Sequence, residues 1–135
     1  MDVHFELQLS VQADDIDGLG HVNNVVYLRW VQEVAAAHWS QLSTPQQRTE
    51  LAWVVLRHEI DYHAPALPGD TIVATTWVEG WKGVRSERRV QLHERSSGKL
   101  LAEAKTIWVL LDAQTRRPKR IEDALGGLLT GAKEA

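Results

Sequence analysis

The sequence predicts an α+β domain in which one long helix packs on a five-stranded antiparallel sheet. One long stretch has helical periodicity, five stretches alternate as strands do, and short turns join the last four. Short turns connect antiparallel neighbours, whereas parallel strands need long crossovers. The chain has 135 residues, a common size for one domain, and no repeat or linker divides it. We therefore expect a single domain over residues 1–135.

The predicted helix follows one strand and a loop. Apolar and polar residues alternate over residues 5–12, which indicates a half-buried strand, and residues 14–20 predict a loop. From Asn24 onward, apolar residues recur every three or four positions, which predicts an amphipathic helix of about four to five turns. Asn23 or Asn24 is a natural cap for its first turn.

Pro45 ends the long helical pattern, and residues 44–51 predict a polar connector with one short helical turn. Four further strands are predicted after it. The last strand is the most apolar, so we expect it at the centre of the sheet. A basic loop at residues 114–120 and a short helix at residues 121–129 follow it. The four strands are predicted at residues 54–62, 71–81, 84–92 and 100–112.

Composition and charge exclude several classes of function. A formal net charge of -3 argues against a nucleic-acid partner or an anionic membrane surface. The absence of cysteine excludes disulfides and thiolate catalysis. No stretch approaches the roughly 18 apolar residues of a membrane span, and residues 1–6 do not have the pattern of a signal peptide. We expect a cytoplasmic protein with no nucleic-acid or membrane partner and no bound metal.

Residues 17–27 hold the candidate reactive groups. This stretch places a carboxylate, two glycines, a histidine and two asparagines at the start of the predicted helix. A helix N-terminus carries free amide donors and about half a positive elementary charge, so it can stabilise an oxyanion. A carboxylate nearby can act as a nucleophile or as a base that activates water. Asp17 is therefore either a catalytic group for acyl transfer or only a capping residue of the loop.

The same stretch, with the Pro-Gly-Asp turn at residues 68–70 and the strand end at residues 108–112, resembles the hotdog-fold acyl-CoA thioesterases. More narrowly, it resembles the 4-hydroxybenzoyl-CoA thioesterase family. The resemblance implies the hotdog fold, a homodimer or homotetramer with active sites at the subunit interface, an acyl-CoA substrate, and no cofactor.

The resemblance also implies roles for residues at matching positions. Asp17 is implied to be the catalytic carboxylate, and a main-chain amide near Asn24 is implied to polarise the thioester carbonyl. The plant acyl-carrier-protein thioesterases share a similar motif but have an asparagine where this chain has Leu19. That difference favours a scheme in which the aspartate acts without catalytic help from His21. The candidates for substrate binding are His21, Asn24, Tyr27, Arg85 and Ser86.

Most of these candidates also have a plainer structural interpretation. His21 can simply hydrogen-bond within the loop, Asn24 can cap the helix, and Tyr27 can pack in the core. Charge clusters are usually solvated faces, although CoA phosphates need cations. The cluster in question contains Lys82, Arg85, Arg88 and Arg89, and a second one contains Arg116, Arg117, Lys119 and Arg120. Tryptophans that could line an acyl pocket or fill the core are Trp77, Trp81 and Trp108.

Two alternative functions stay open at this point. One is an acyl-carrier-protein thioesterase, which would differ only in the carrier of the acyl group. The other is a non-catalytic acyl-CoA-binding module, because one fold can carry many functions. Asp17 argues against the second alternative, since a pure binder has no need of an unpaired carboxylate beside a thioester.

Overall fold

The computed structural model describes residues 4–131, in which a five-stranded antiparallel sheet packs against one long helix. This confirms the predicted architecture, while the outermost residues of the predicted domain, 1–3 and 132–135, lie outside the described range. A single 3-10 turn at Ala13–Asp15 precedes the long helix. The elements are β1 (Phe5–Ser10), α1 (Asn24–Leu42), α2 (Pro45–Glu50), β2 (Leu51–Tyr62), β3 (Thr71–Lys82), β4 (Arg85–Glu94), β5 (Leu100–Asp112) and α3 (Asp123–Thr130).

The strands lie in the order β1-β3-β4-β5-β2, and all neighbours are antiparallel. The middle strand is therefore β4, and the prediction that residues 100–112 form the central strand is wrong. β5 lies between β4 and the edge strand β2. The prediction took the most apolar strand as the central one. β4 is less apolar than β5 because its buried face carries two polar side chains, Ser86 and Arg88.

Helix α1 begins at Asn24 because Asn23 caps it. The Asn23 side chain accepts a hydrogen bond from the Val25 amide at 3.1 Å, which satisfies one of the free donors of the first turn. One face of α1 packs against the sheet. Its buried residues are Val26, Tyr27, Trp30, Val31, Val34, Ala35 and His38.

Helix α3 packs closely on β3. A Cβ atom built on Gly126 would lie 2.1 Å from the Trp81 ring, so only glycine allows the helix this close to the sheet. The polar connector also folds as expected into a short helix, α2, which Thr44 caps through the Gln47 amide.

The edge strand β2 exposes apolar residues of its alternating sequence. Val54 and Leu56 are 43% and 53% exposed, and a register shift interrupts the pairing with β5 between Val55 and Arg57. Within residues 4–131, no strand pairs with the outer edge of β2. The apolar alternation here therefore marks a surface that this chain does not cover by itself.

A buried polar cluster lies between α1 and the sheet. His38 and Arg88 are each 5% exposed, so the expectation that Arg88 belongs to a solvated basic face is wrong. Arg88 Nη1 donates to His38 Nδ1 at 2.9 Å and to Thr76 Oγ1 at 3.1 Å. Burial, and secondarily the nearby Arg88 charge, lowers the pKa of His38 to about 4. His38 is therefore neutral at pH 7, with Nδ1 as an acceptor.

We predict that His38 makes the fold acid-sensitive. Its pKa is about 4 in the folded state against 6.5 in the unfolded chain, so the unfolded state binds the extra proton between these values. The contribution of neutral His38 to the free energy of unfolding is fully present above pH 6.5 and is lost as the pH falls towards 4. The loss is about 2 kcal/mol, measured as the free energy of unfolding in urea at pH 7 and pH 4.5. His38→Asn keeps an acceptor near the Nδ1 position and should show a smaller loss; an equal loss in both proteins would contradict the prediction.

Candidate active site

The loop that precedes α1 is held closed at its base. Ile16 and Val22 form an antiparallel bridge, and the Asp17 amide donates to the His21 carbonyl at 2.7 Å. Gly20 has a φ of 79°, a left-handed conformation that glycine adopts without a steric penalty. These contacts fix residues 17–21 as a small projecting loop.

The Asp17 carboxylate is held by one oxygen. Its Oδ1 accepts from the Leu19 amide at 2.9 Å and from the His21 amide at 3.2 Å. Within residues 4–131, Oδ2 has no hydrogen-bond partner. The side chain is therefore oriented by the loop while one oxygen remains free to act on a ligand.

The first turn of α1 presents an unused amide. The Asn23 side chain and carbonyl accept from the Val25 and Val26 amides, whereas the Asn24 amide has no acceptor in the described part of the chain. Such a group, at the positive end of the helix dipole, can donate to a substrate carbonyl or to an oxyanion.

A cleft of about 490 Å³ brings together four of the six predicted site residues. Its other walls come from the end of β2 and the segment that follows, including Tyr62 and Pro65. The predicted residues that line it are Asp17, His21, Asn24 and Tyr27.

The remaining two predicted residues, Arg85 and Ser86, do not line this cleft. They line a separate cleft of about 670 Å³ at the β3–β4 turn, beside Trp81 and Lys82. Arg85 is exposed and Ser86 is 4% exposed. Within one chain, the structure thus does not unite the predicted CoA contacts with Asp17.

A buried carboxylate that the sequence analysis missed positions the loop. Asp15 is 2% exposed, and its Oδ1 accepts from Arg29 Nη2 at 2.9 Å. Its Oδ2 accepts from the Gln12 amide at 2.8 Å, and its carbonyl accepts from the Asn23 amide at 2.8 Å. The only signal in the sequence was an Asp-Asp pair beside the motif, which does not indicate which carboxylate is buried.

Tyr27 forms the floor of the cleft and also braces it. The ring is 2% exposed, as core packing predicts, and burial raises the pKa of its hydroxyl. The hydroxyl accepts from the Ala66 amide at 2.7 Å, and the Ala66 carbonyl accepts from the Val22 amide at 3.0 Å. Ala66 thereby ties the β2–β3 connection to both the loop and α1.

Two further features bear on the chemistry. Within residues 4–131, no three histidine, aspartate or glutamate side chains gather as metal ligands. None of the helices in that range is both long and apolar enough to cross a membrane.

The long helix on an antiparallel sheet, with a carboxylate loop beside the helix N-terminus, defines a hotdog-fold thioesterase. The sequence pattern of the family described as acyl-ACP thioesterase N-terminal domain matches residues 2–127. The chain belongs to this family of hotdog-fold thioesterases. The narrower resemblance to 4-hydroxybenzoyl-CoA thioesterases stays a prediction.

Individual relatives agree with this assignment. The chain is 32% identical over 131 residues to acyl-(acyl-carrier-protein) hydrolase FATB3, chloroplastic, of Cuphea viscosissima, covering 90% of this chain and 32% of that protein. The chain thus spans about a third of the length of this plant relative. It is 25% identical to the long-chain acyl-CoA thioesterase FadM of Escherichia coli, covering 89% of this chain and 92% of that protein. The crystal structure of YbaW, a probable thioesterase from Escherichia coli, superposes with a TM-score of 0.79 at 26% identity, covering 92% and 95% of the two chains.

We predict that Tyr27→Phe lowers the free energy of unfolding of the protein. The substitution leaves the buried Ala66 amide without an acceptor, which costs on the order of 1–3 kcal/mol in the free energy of unfolding. Urea denaturation of both proteins measures this loss.

Tyr62→Phe is the matched control for this measurement. Its hydroxyl is exposed and donates to the Asn24 carbonyl at 3.3 Å, so its removal should have little effect. Equal stability of Tyr27→Phe and Tyr62→Phe would show that the Ala66 contact is unimportant.

Proposed function

We propose that the protein hydrolyses acyl-CoA thioesters to the free acid and CoA. The observation that carries this proposal is that the Asp17 carboxylate, with one free oxygen, and the unpaired Asn24 amide line the same cleft. The similarity to a long-chain acyl-CoA thioesterase over nearly its full length supports CoA as the carrier.

Asp17 and Asn24 divide the reaction between them. The Asn24 amide donates to the thioester carbonyl and stabilises the negative charge that develops on its oxygen. Asp17 Oδ2 either takes a proton from the attacking water or attacks the carbonyl carbon to give a mixed anhydride that water then hydrolyses. In both routes the carbon–sulfur bond breaks, and the CoA thiolate leaves and takes up a proton.

The other cleft residues hold the substrate in this proposal. His21 is exposed at the rim, where its ring can contact the pantetheine arm. Tyr27 closes the floor beneath the thioester. Arg85 and Ser86, which lie at another cleft of the same chain, would contact the CoA only from a second subunit.

A homodimer would cover the exposed edge of β2. Edge strands with exposed apolar residues readily pair with another chain, and β2 presents Val54, Leu56 and Tyr62 in this way. We propose that two copies pair through this edge. Further association into a tetramer, and a cytoplasmic location, stay predictions.

Hydrolysis of acyl groups from an acyl-carrier protein is the second candidate. The matching family description and the Cuphea relative both name this carrier. Rates on matched CoA and carrier-protein thioesters of one acyl group decide between the two carriers.

We predict that Asp17→Asn loses at least about 100-fold in kcat, the lower range for removal of a general acid–base group. Asparagine retains an oxygen that can accept from the Leu19 and His21 amides, so the loop should keep its shape. Thiol release from a panel of acyl-CoAs measures the effect. Asp14→Asn, at an exposed neighbour, is the control, and full activity of Asp17→Asn would refute the proposed mechanism.

We predict that Leu56→Glu converts the dimer to monomers, because it places repelling charges along the paired β2 edge. Analytical ultracentrifugation measures the mass in solution. Leu67→Glu introduces the same charge at a loop residue that is 44% exposed and should leave the dimer intact. A wild-type monomer, or a dimer that survives Leu56→Glu, would overturn the proposed interface.

A further inference from the structure

A third cavity, of about 430 Å³, lies between the middle of α1, the sheet and α3, and shares Ser86 with the cleft at the β3–β4 turn. It shares no lining residue with the Asp17 cleft. Such a volume is typical of small-molecule sites, which are mostly apolar with a few placed polar groups. Its apolar walls are Ala35, Ala36, Trp39, Trp53 and Leu129.

The cavity contains a buried guanidinium without a counterion. Arg88 is 5% exposed, and both hydrogens of its Nη1 go to uncharged acceptors on His38 and Thr76. No aspartate or glutamate of residues 4–131 pairs with it. An arginine has five N–H donors, so the three on Nε and Nη2 have no partner in the described part of the chain. Burying an unpaired charge is costly, which indicates that Arg88 serves a ligand.

A second unmatched donor lines the same cavity. The indole Nε1 of Trp108 is buried and has no acceptor in the described part of the chain. Buried donors in native proteins almost always have partners. Arg88 and Trp108 therefore bring four unpaired N–H groups to the lining of a space whose other residues are mostly apolar, apart from Gln32 and Ser86.

We propose that this cavity binds an aliphatic carboxylate, with the alkyl chain against Trp39 and Trp53 and the carboxylate on Arg88 and Trp108. A carboxylate offers the acceptor oxygens that all four donors lack, and charge-assisted hydrogen bonds to arginine are strong. The choice of an acyl ligand rests on the proposed function. The carboxylate is either the far end of a substrate acyl group or that of a free fatty acid.

The position of the cavity fits a substrate that reaches it from another subunit. Leu51 and Trp53, at the start of β2, line the cavity, whereas Tyr62, at its end, lines the Asp17 cleft. Antiparallel pairing of two β2 edges would place the start of one strand beside the end of the other. The cavity of one protomer would then adjoin the Asp17 cleft of its partner.

Direct binding tests the site independently of catalysis. Titration calorimetry compares octanoate with octanamide, which has the same chain but no charge. The wild type should bind octanoate at least ~10-fold more tightly, as charged hydrogen bonds imply, and Arg88→Met should lose this preference. Arg89→Met is the matched control, because Arg89 lies on the other face of β4 and pairs with Glu87. Equal binding of both ligands by the wild type, or no octanoate binding at millimolar concentration, would overturn the proposal.

Two further measurements separate a binding role from a structural one. Arg88→Met also removes the donors to His38 and Thr76, so the ligand-dependent change in unfolding temperature is compared, not the temperatures of the ligand-free proteins. Octanoate should raise the unfolding temperature of the wild type and leave that of Arg88→Met unchanged. An equal rise in both proteins would make Arg88 a structural residue. Trp108→Phe removes one donor, the indole N–H, and should reduce the preference for octanoate over octanamide about threefold. If Arg88→Met does not fold, this variant decides the question. An unchanged preference in Trp108→Phe would then overturn the proposal.

Kinetics then identify the source of the carboxylate. Faster hydrolysis of suberyl-CoA than of octanoyl-CoA, lost in Arg88→Met, assigns it to the substrate's far end. Equal rates, with inhibition by octanoate in the wild type but not in Arg88→Met, assign it to a free fatty acid. If no acyl-CoA is hydrolysed, the proposed function fails, while calorimetry still decides whether the cavity binds carboxylates.

Discussion

The candidate active site depends on the buried Asp15 carboxylate. Its two oxygens and its carbonyl bind Arg29 on α1, the Gln12 amide after β1, and the Asn23 cap. A buried charge is tolerated only when it is paired and hydrogen-bonded, so Asp15 holds these three elements in one arrangement. Arg29 stays half-exposed, which limits its own desolvation. The Asp17 loop and the helix N-terminus are thereby fixed relative to each other.

Two carboxylates two positions apart consequently have different tasks. Asp15 uses both oxygens for structure, whereas Asp17 uses only Oδ1 and keeps Oδ2 free. The difference arises because the bridge between Ile16 and Val22 separates a buried base from a projecting loop. Asp17 can therefore approach a substrate without weakening the contacts that position it. Fixed groups of this kind favour catalysis because they need little reorganisation during the reaction.

Features that depend on residues close together in the sequence were predicted correctly. Features that depend on contacts between distant segments were missed. The start of α1 and a cap at Asn23 or Asn24 followed from periodicity and capping chemistry. The burial of Asp15 and Arg88 did not, because a charged residue on a strand or in a loop is normally solvated, and only packing against α1 reverses this. The exposure of Leu56 was likewise invisible, since alternation marks an apolar surface without saying which chain covers it. The grouping of Asp17 with Asn24 in one cleft came from the motif, whereas the separate location of Arg85 required the folded chain.

Arg88 shows where specificity can differ among proteins that share this fold. In the proposed mechanism, the loop and helix terminus suit any thioester, because they contact only the group that reacts. Discrimination between acyl groups must come from a region that contacts the end of the acyl group far from the thioester. Proteins that share a fold differ in function through such sites. An unpaired guanidinium weakens the folded state on its own, and stability lost at a functional site is a recurrent compromise in natural proteins. The position of Arg88 in a largely apolar cavity is therefore better explained by what it binds than by what it stabilises.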